Sequence, residues 1–138
     1  MNPAGTLLDT GPLVAFLSRT DANHKRARKL FGSCAPPFRT CEAVLAEAAH
    51  LLSKTNPSGS ADIIRLGALG LFEVDLPINE HWASLERLLR KYVDVPADLA
   101  DACLIRCAEI HDEPRILTFD VDFRVYRWSG RKPFQILS

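Results

Sequence analysis

The acidic residues of this chain fall where a carboxylate needs a reason to be. Asp9 closes the short apolar run Thr6-Leu7-Leu8, and Asp120 follows Arg115-Ile116-Leu117-Thr118-Phe119. Both runs read as strands, and sites in parallel α/β sheets form outside the carboxyl ends of strands. Glu47 stands three residues after Val44 and four before Leu51, which places it on an apolar helical stripe. Asp101 shares a helical face with Ala97, Leu104, Ile105 and Ala108, with Asp98 one turn earlier. A lone carboxylate on a core-facing stripe is costly and tends to keep its proton. Carboxylates gathered from several elements raise one another's pKa, and a divalent cation reverses that balance. Hard oxygen ligands with few histidines or thiols suit Mg²⁺ or Mn²⁺ rather than zinc. Such ions join substrate phosphates through a few carboxylates, so the chemistry to expect is phosphoryl transfer or phosphodiester hydrolysis.

Other acid-based chemistries fit less well. A phosphatase with an aspartate nucleophile needs a second acid two residues on, but Asp9 is followed by Thr10, Gly11 and Pro12. Glu47-Ala48-Ala49-His50 is a single Glu-x-x-His pair, whereas a di-iron bundle needs two. Cys103, Cys107 and His111 lie at helical spacing, yet their segment is apolar, and free cysteine is usually core. No Cys-x-x-Cys pair occurs among the four cysteines, so neither a zinc ribbon nor a thioredoxin motif is indicated.

The elements that must position these acids alternate in type. Residues 6–9 read as a strand, 12–18 and 21–33 as helices, and 37–40 as a strand. Thr40 is placed to cap a helix over 41–54, with Glu42 in its first turn. Asn56-Pro57-Ser58-Gly59 reads as a turn, 60–69 as a helix stopped by Gly70, and 71–76 as a strand. Asn79 is placed to cap a helix with Trp82, Leu85, Leu88, Leu89 and Tyr92 on one stripe, and Pro96 to open another over 96–111. Strands are expected at 115–119 and 134–137. Strand–helix alternation of this kind marks an α/β fold around a parallel sheet.

The 138 residues fit one domain, and 47% apolar with 25% charged residues is the balance of an ordinary globular protein. No apolar run approaches the roughly 18–20 residues of a membrane span. The N-terminus has no basic region before its apolar stretch, so a cytoplasmic protein without a signal peptide is expected. Seventeen basic residues balance seventeen acidic ones, so bulk charge does not favour a nucleic-acid partner. The basic residues are clustered, however: HKRARK at 24–29, Arg87, Arg90 and Lys91, and a tail with Arg124, Arg127, Arg131 and Lys132.

Four blocks in order, LLDTGPLVAFL, TCEAVLAEAAHLL, DLADACLIRCAE and ILTFDVDF, resemble the PIN domain and, within it, the VapC-type toxin ribonucleases. The likeness runs from residue 6 to about 123. It implies a three-layer α/β/α sandwich on a central parallel sheet, one PIN-like nuclease domain over residues 1–138, and RNA cleavage dependent on Mg²⁺ or Mn²⁺. The family's acids match Asp9, Glu47, Asp101 and Asp120, with Asp98, Asp122, Thr10 and Thr118 in support; its pattern favours Asp120 over Asp122. On this reading Asp9, Asp101 and Asp120 hold the metal, and Arg124 or Arg127 holds flanking phosphates. Members of the VapC type usually form homodimers and are inhibited by a cognate antitoxin. The alternative is a catalytically silent PIN-like module that binds RNA or protein; its mark would be a gap in the acid set, and none is visible.

Overall fold

The computed structural model describes residues 1–138. In chain order the elements are β1 (Leu7–Leu8), α1 (Thr10–Leu17), α2 (His24–Gly32), β2 (Phe38–Thr40), α3 (Glu42–Leu52), α4 (Gly59–Ala68), β3 (Phe72–Val74), α5 (Trp82–Lys91), α6 (Leu99–His111), β4 (Arg115–Leu117), β5 (Arg127–Trp128), β6 (Lys132–Pro133) and β7 (Gln135–Leu137). Short 3₁₀ turns cover Ile78–Glu80 and Val121–Arg124. Five strands form a parallel sheet in the order β3-β2-β1-β4-β7, while β5 and β6 make a separate antiparallel pair. No helix is long and apolar enough to cross a membrane.

Side chains alternate across a strand, so each strand feeds both faces of the sheet. Leu7 and Ile116 are paired in register and pack into one core with α5, α6, Phe123 and Tyr126. Leu8 and Leu117, the next pair, enter the opposite core with Leu13, Phe31, Ala48, Leu52 and Ile63. Two helical layers therefore enclose the sheet, in the α/β/α arrangement expected from the sequence.

Several boundaries differ from the sequence expectation, each for a local reason. Helix α2 starts at His24 because Asp21 Oδ1 accepts from the Asn23 amide and closes a turn first. Thr40 does not cap α3; its hydroxyl donates to the Leu8 carbonyl at 2.8 Å and ties β2 to β1. Cys41 takes the cap position instead. Asn79 lies in the 3₁₀ turn and accepts from Trp82 Nε1, so α5 begins behind His81. Pro96 does not open α6. Asp98 does, by a capping box in which its carboxylate accepts from the Asp101 amide and the Asp101 carboxylate accepts from the Asp98 amide. Cys103 and Cys107 are buried in the core, and His111 pairs with Asp75 and Arg39, so the three do not form a metal face.

Candidate active site

Strand β1 is the centre of the sheet. The chain leaves it to build β2 and β3 on one side and returns to place β4 on the other. Ligands in open α/β sheets bind outside the carboxyl ends of the strands at such a switch point. The β1–β4 pairing continues one step past the strands, with the Asp9 amide donating to the Leu117 carbonyl at 3.0 Å. That step sets Asp9 beside Thr118. Thr118 Oγ1 donates to Asp9 Oδ2 at 2.7 Å and accepts from the Asp120 amide at 2.9 Å. One buried hydroxyl thus positions the acids that follow both strands.

These residues open onto a cleft of about 330 Å³ lined by Asp9, Thr10, Gly11, Glu47, Leu51, Asp98, Asp101, Phe119 and Asp120. Five carboxylates from four separate parts of the chain meet there. Asp122 does not line it; its amide donates to Asp120 Oδ1, so it fixes Asp120 from behind. Thr10 Oγ1 donates to Glu47 Oε2 at 3.1 Å. Tyr126, fully buried, donates its hydroxyl to Asp101 Oδ2 at 3.3 Å. Nothing in the spacing of the sequence marks Tyr126, which reaches the site only because the turn after Asp120 folds back under α6.

Glu47 is in the cleft for a different reason from the one its periodicity suggests. The buried stripe of α3 is Val44, Ala48 and Leu52. Leu51 is 40% exposed and Glu47 faces solvent, so Glu47 is not on the core stripe but at its edge, over the cleft. Asp101, by contrast, is buried, in a helix whose middle is enclosed almost all round. Of the two arginines expected to hold phosphates, Arg124 is exposed next to the cleft. Arg127 uses Nη1 to hold the carbonyls of Arg124, Val125 and Tyr126.

The electrostatics follow from burial and mutual repulsion. Burial pushes the Asp9 carboxyl up to about 6; the hydrogen bonds from Thr118 and Thr10 restrain it, and the charges of Asp120 and Glu47 add to the rise. Asp101 is pushed up to about 7, by burial first and then by Asp98 and Asp9. Tyr126 is likewise pushed well above its ordinary range by burial and by Asp101. None of the molecule's ion pairs involves an acid of this cleft.

The donor set fits a hard divalent cation. Every ligand atom on offer is oxygen, and Asp101 Oδ1, Asp120 Oδ2 and Glu47 Oε1 accept no hydrogen bond from the protein. No three side chains close into a metal cage. An open, acid-lined cleft of this kind suits an ion that keeps most of its water, as Mg²⁺ does, and not structural zinc.

Comparison with known proteins agrees with the fold. The structure is similar to that of VapC20 of Mycobacterium tuberculosis, a sarcin-ricin loop cleaving toxin, with a TM-score of 0.70 and 20% identity over 96% of this chain and 100% of that one. No curated protein sequence matches. The PIN domain model matches residues 6–128, a span that holds every acid of the cleft, and the chain belongs to the PIN-domain family.

Proposed function

We propose that the protein is a divalent-metal-dependent endoribonuclease that hydrolyses RNA phosphodiester bonds, a toxin of the VapC type held in check by a cognate antitoxin. The observation that carries this reading is the meeting of five carboxylates, unpaired with any cation, at the switch point of the sheet. Asp9, Asp101 and Asp120 would hold Mg²⁺ or Mn²⁺. The ion would supply an activated water and neutralise charge developing on the phosphate. The chain's own residues prepare the rest. Thr118 and the Thr10 amide fix both oxygens of Asp9, and the capping box with Tyr126 fixes Asp101, so these carboxylates are oriented before substrate arrives. Thr10 holds Glu47 by Oε2 and leaves Oε1 free, placed to accept a proton from water in the cleft. VapC20, which has the same fold, is described as a sarcin-ricin loop cleaving toxin, which supports RNA as the substrate class.

The test is Asp101→Asn, compared with wild type for cleavage of RNA in Mg²⁺, in Mn²⁺ and in EDTA. Losing an outer partner of a metal ligand costs about 10–100-fold, so losing a ligand should cost more than about a hundredfold. Cleavage by wild type in EDTA, or full activity in the variant, refutes the assignment.

A further inference from the structure

Beside the acid cleft lies a second, smaller pocket of about 230 Å³, which shares Phe119 and Asp120 with it and has Arg26 and Arg124 on its walls. Arg26 comes from α2, outside every block that carries the acids. Its guanidinium lies 4.7 Å from the centre of the Phe119 ring. A cation over an aromatic face is held in place without spending its N–H donors. Neither Arg26 nor Arg124 has a carboxylate partner. Two arginines with free donor edges therefore face a pocket that adjoins five carboxylates.

We infer that Arg26, steadied by Phe119, and Arg124 form a subsite for a backbone phosphate of single-stranded RNA, next to the phosphate that is cut. The inference rests on the endoribonuclease reading and extends it to where the strand lies. The charge pattern gives it direction. The acid cleft repels RNA unless a cation is present, so affinity must come from elsewhere, and the adjoining pocket supplies fixed positive charge. The surface continues outward along α2, where Lys25, Arg28 and Lys29 are exposed and only Ala27 and Phe31 are buried. Net neutrality of the whole chain thus conceals a basic track that ends at the acids.

Binding in EDTA separates this subsite from catalysis. A short fluorescein-labelled single-stranded RNA is titrated with wild type and with Arg26→Ala, Arg124→Ala, Phe119→Leu and, as a remote basic control, Arg87→Ala, over a range of salt. Removing one phosphate contact should weaken binding about fivefold and flatten the log–log salt plot by about 0.7. Arg26→Ala and Arg124→Ala are expected to do so, and Arg87→Ala to leave the plot unchanged. Phe119→Leu keeps the apolar bulk but removes the π face, so it should give part of the Arg26→Ala loss and add little in the double variant. Unchanged affinity and slope in both Arg26→Ala and Arg124→Ala overturn the subsite, as does a wild type that binds no RNA. If the arginine variants lose binding while wild type fails to cut RNA in Mg²⁺ or Mn²⁺, the subsite stands and the nuclease reading falls.

Discussion

Asp9 and Asp101 keep their protons at a pH where an ordinary aspartate has lost its own, and this has consequences of known sign. Both are raised in the folded state, to about 6 and about 7 from an ordinary 3.8. A raised pKa means the native chain holds the proton more tightly than the unfolded one. Their contribution to stability is therefore complete below about pH 4 and is lost as pH rises through 6 and then 7. The metal-free protein should melt at a lower temperature at pH 8 than at pH 5 in calorimetry, and Mg²⁺ should restore most of the difference at pH 8, where no proton competes for the carboxylates. RNA cleavage should rise with pH across the same window. Thr118 offers a sharper probe, because its one hydroxyl serves both Asp9 and Asp120. Thr118→Val keeps the shape and leaves the Asp120 amide unpaired. It should cost about 1–3 kcal/mol in denaturant titration, push Asp9 higher still, and weaken Mg²⁺ binding about 10–100-fold.

Between residue and fold stand the helix starts, and here the same atoms serve structure and site. Asp98 caps α6 and lines the acid cleft. The two roles separate by substitution. Asp98→Asn keeps an oxygen to accept from the Asp101 amide and removes the charge, so it should leave stability nearly unchanged and lower the Asp101 pKa toward the usual range. Asp98→Ala loses the cap and should cost about 1 kcal/mol as well; NMR titration and thermal melts distinguish the two. Much of this was legible in the sequence. Period-two and period-3.6 patterns located the five parallel strands and the helices, and acids at strand ends pointed to the switch point. What escaped was set by competition between neighbours. Nothing in the sequence says that Thr40 will bond to Leu8 across the sheet instead of capping α3, or that Asp98 will outcompete Pro96 as the start of α6. The β5–β6 pair gives no such signal: its strands are as short as β1 but lack an apolar run like Leu7-Leu8, and Lys132 and Pro133 are both exposed. Glu47 reaches the site from the edge of the α3 stripe, not from the stripe itself. Its spacing from Val44 and Leu51 was real, but Leu51 lines the cleft instead of the core.

At the scale of the whole molecule an apolar groove is left uncovered, and the pattern on α5 locates it. The stripe expected from the sequence divides in the structure. Leu85, Leu88 and Tyr92 are buried, whereas Trp82 remains 64% exposed. Together with Val93 at 65% and Leu99 at 46%, Trp82 borders a groove of about 610 Å³ whose other walls include Ile78 and Leu89. Large exposed apolar patches on a small protein mark contact surfaces. An apolar face that runs from Trp82 at the start of α5 to Val93 just past its end suits a twofold seam, where the same patch serves both partners. Glu86 and Arg90, already paired at 2.9 Å on its rim, would remain in solvent at the edge of such an interface. We therefore expect a homodimer through α5, with a seam that ends at Leu99, the residue after Asp98, and so reaches the border of the acid cleft. Trp82→Glu places a charge on that seam but at an exposed position of the monomer, so the fold should survive, with a melting temperature close to wild type. Light scattering during size-exclusion chromatography should then give a mass near 15.3 kDa for the variant and twice that for wild type. A wild type that elutes at the monomer mass at every concentration removes α5 as a dimer face.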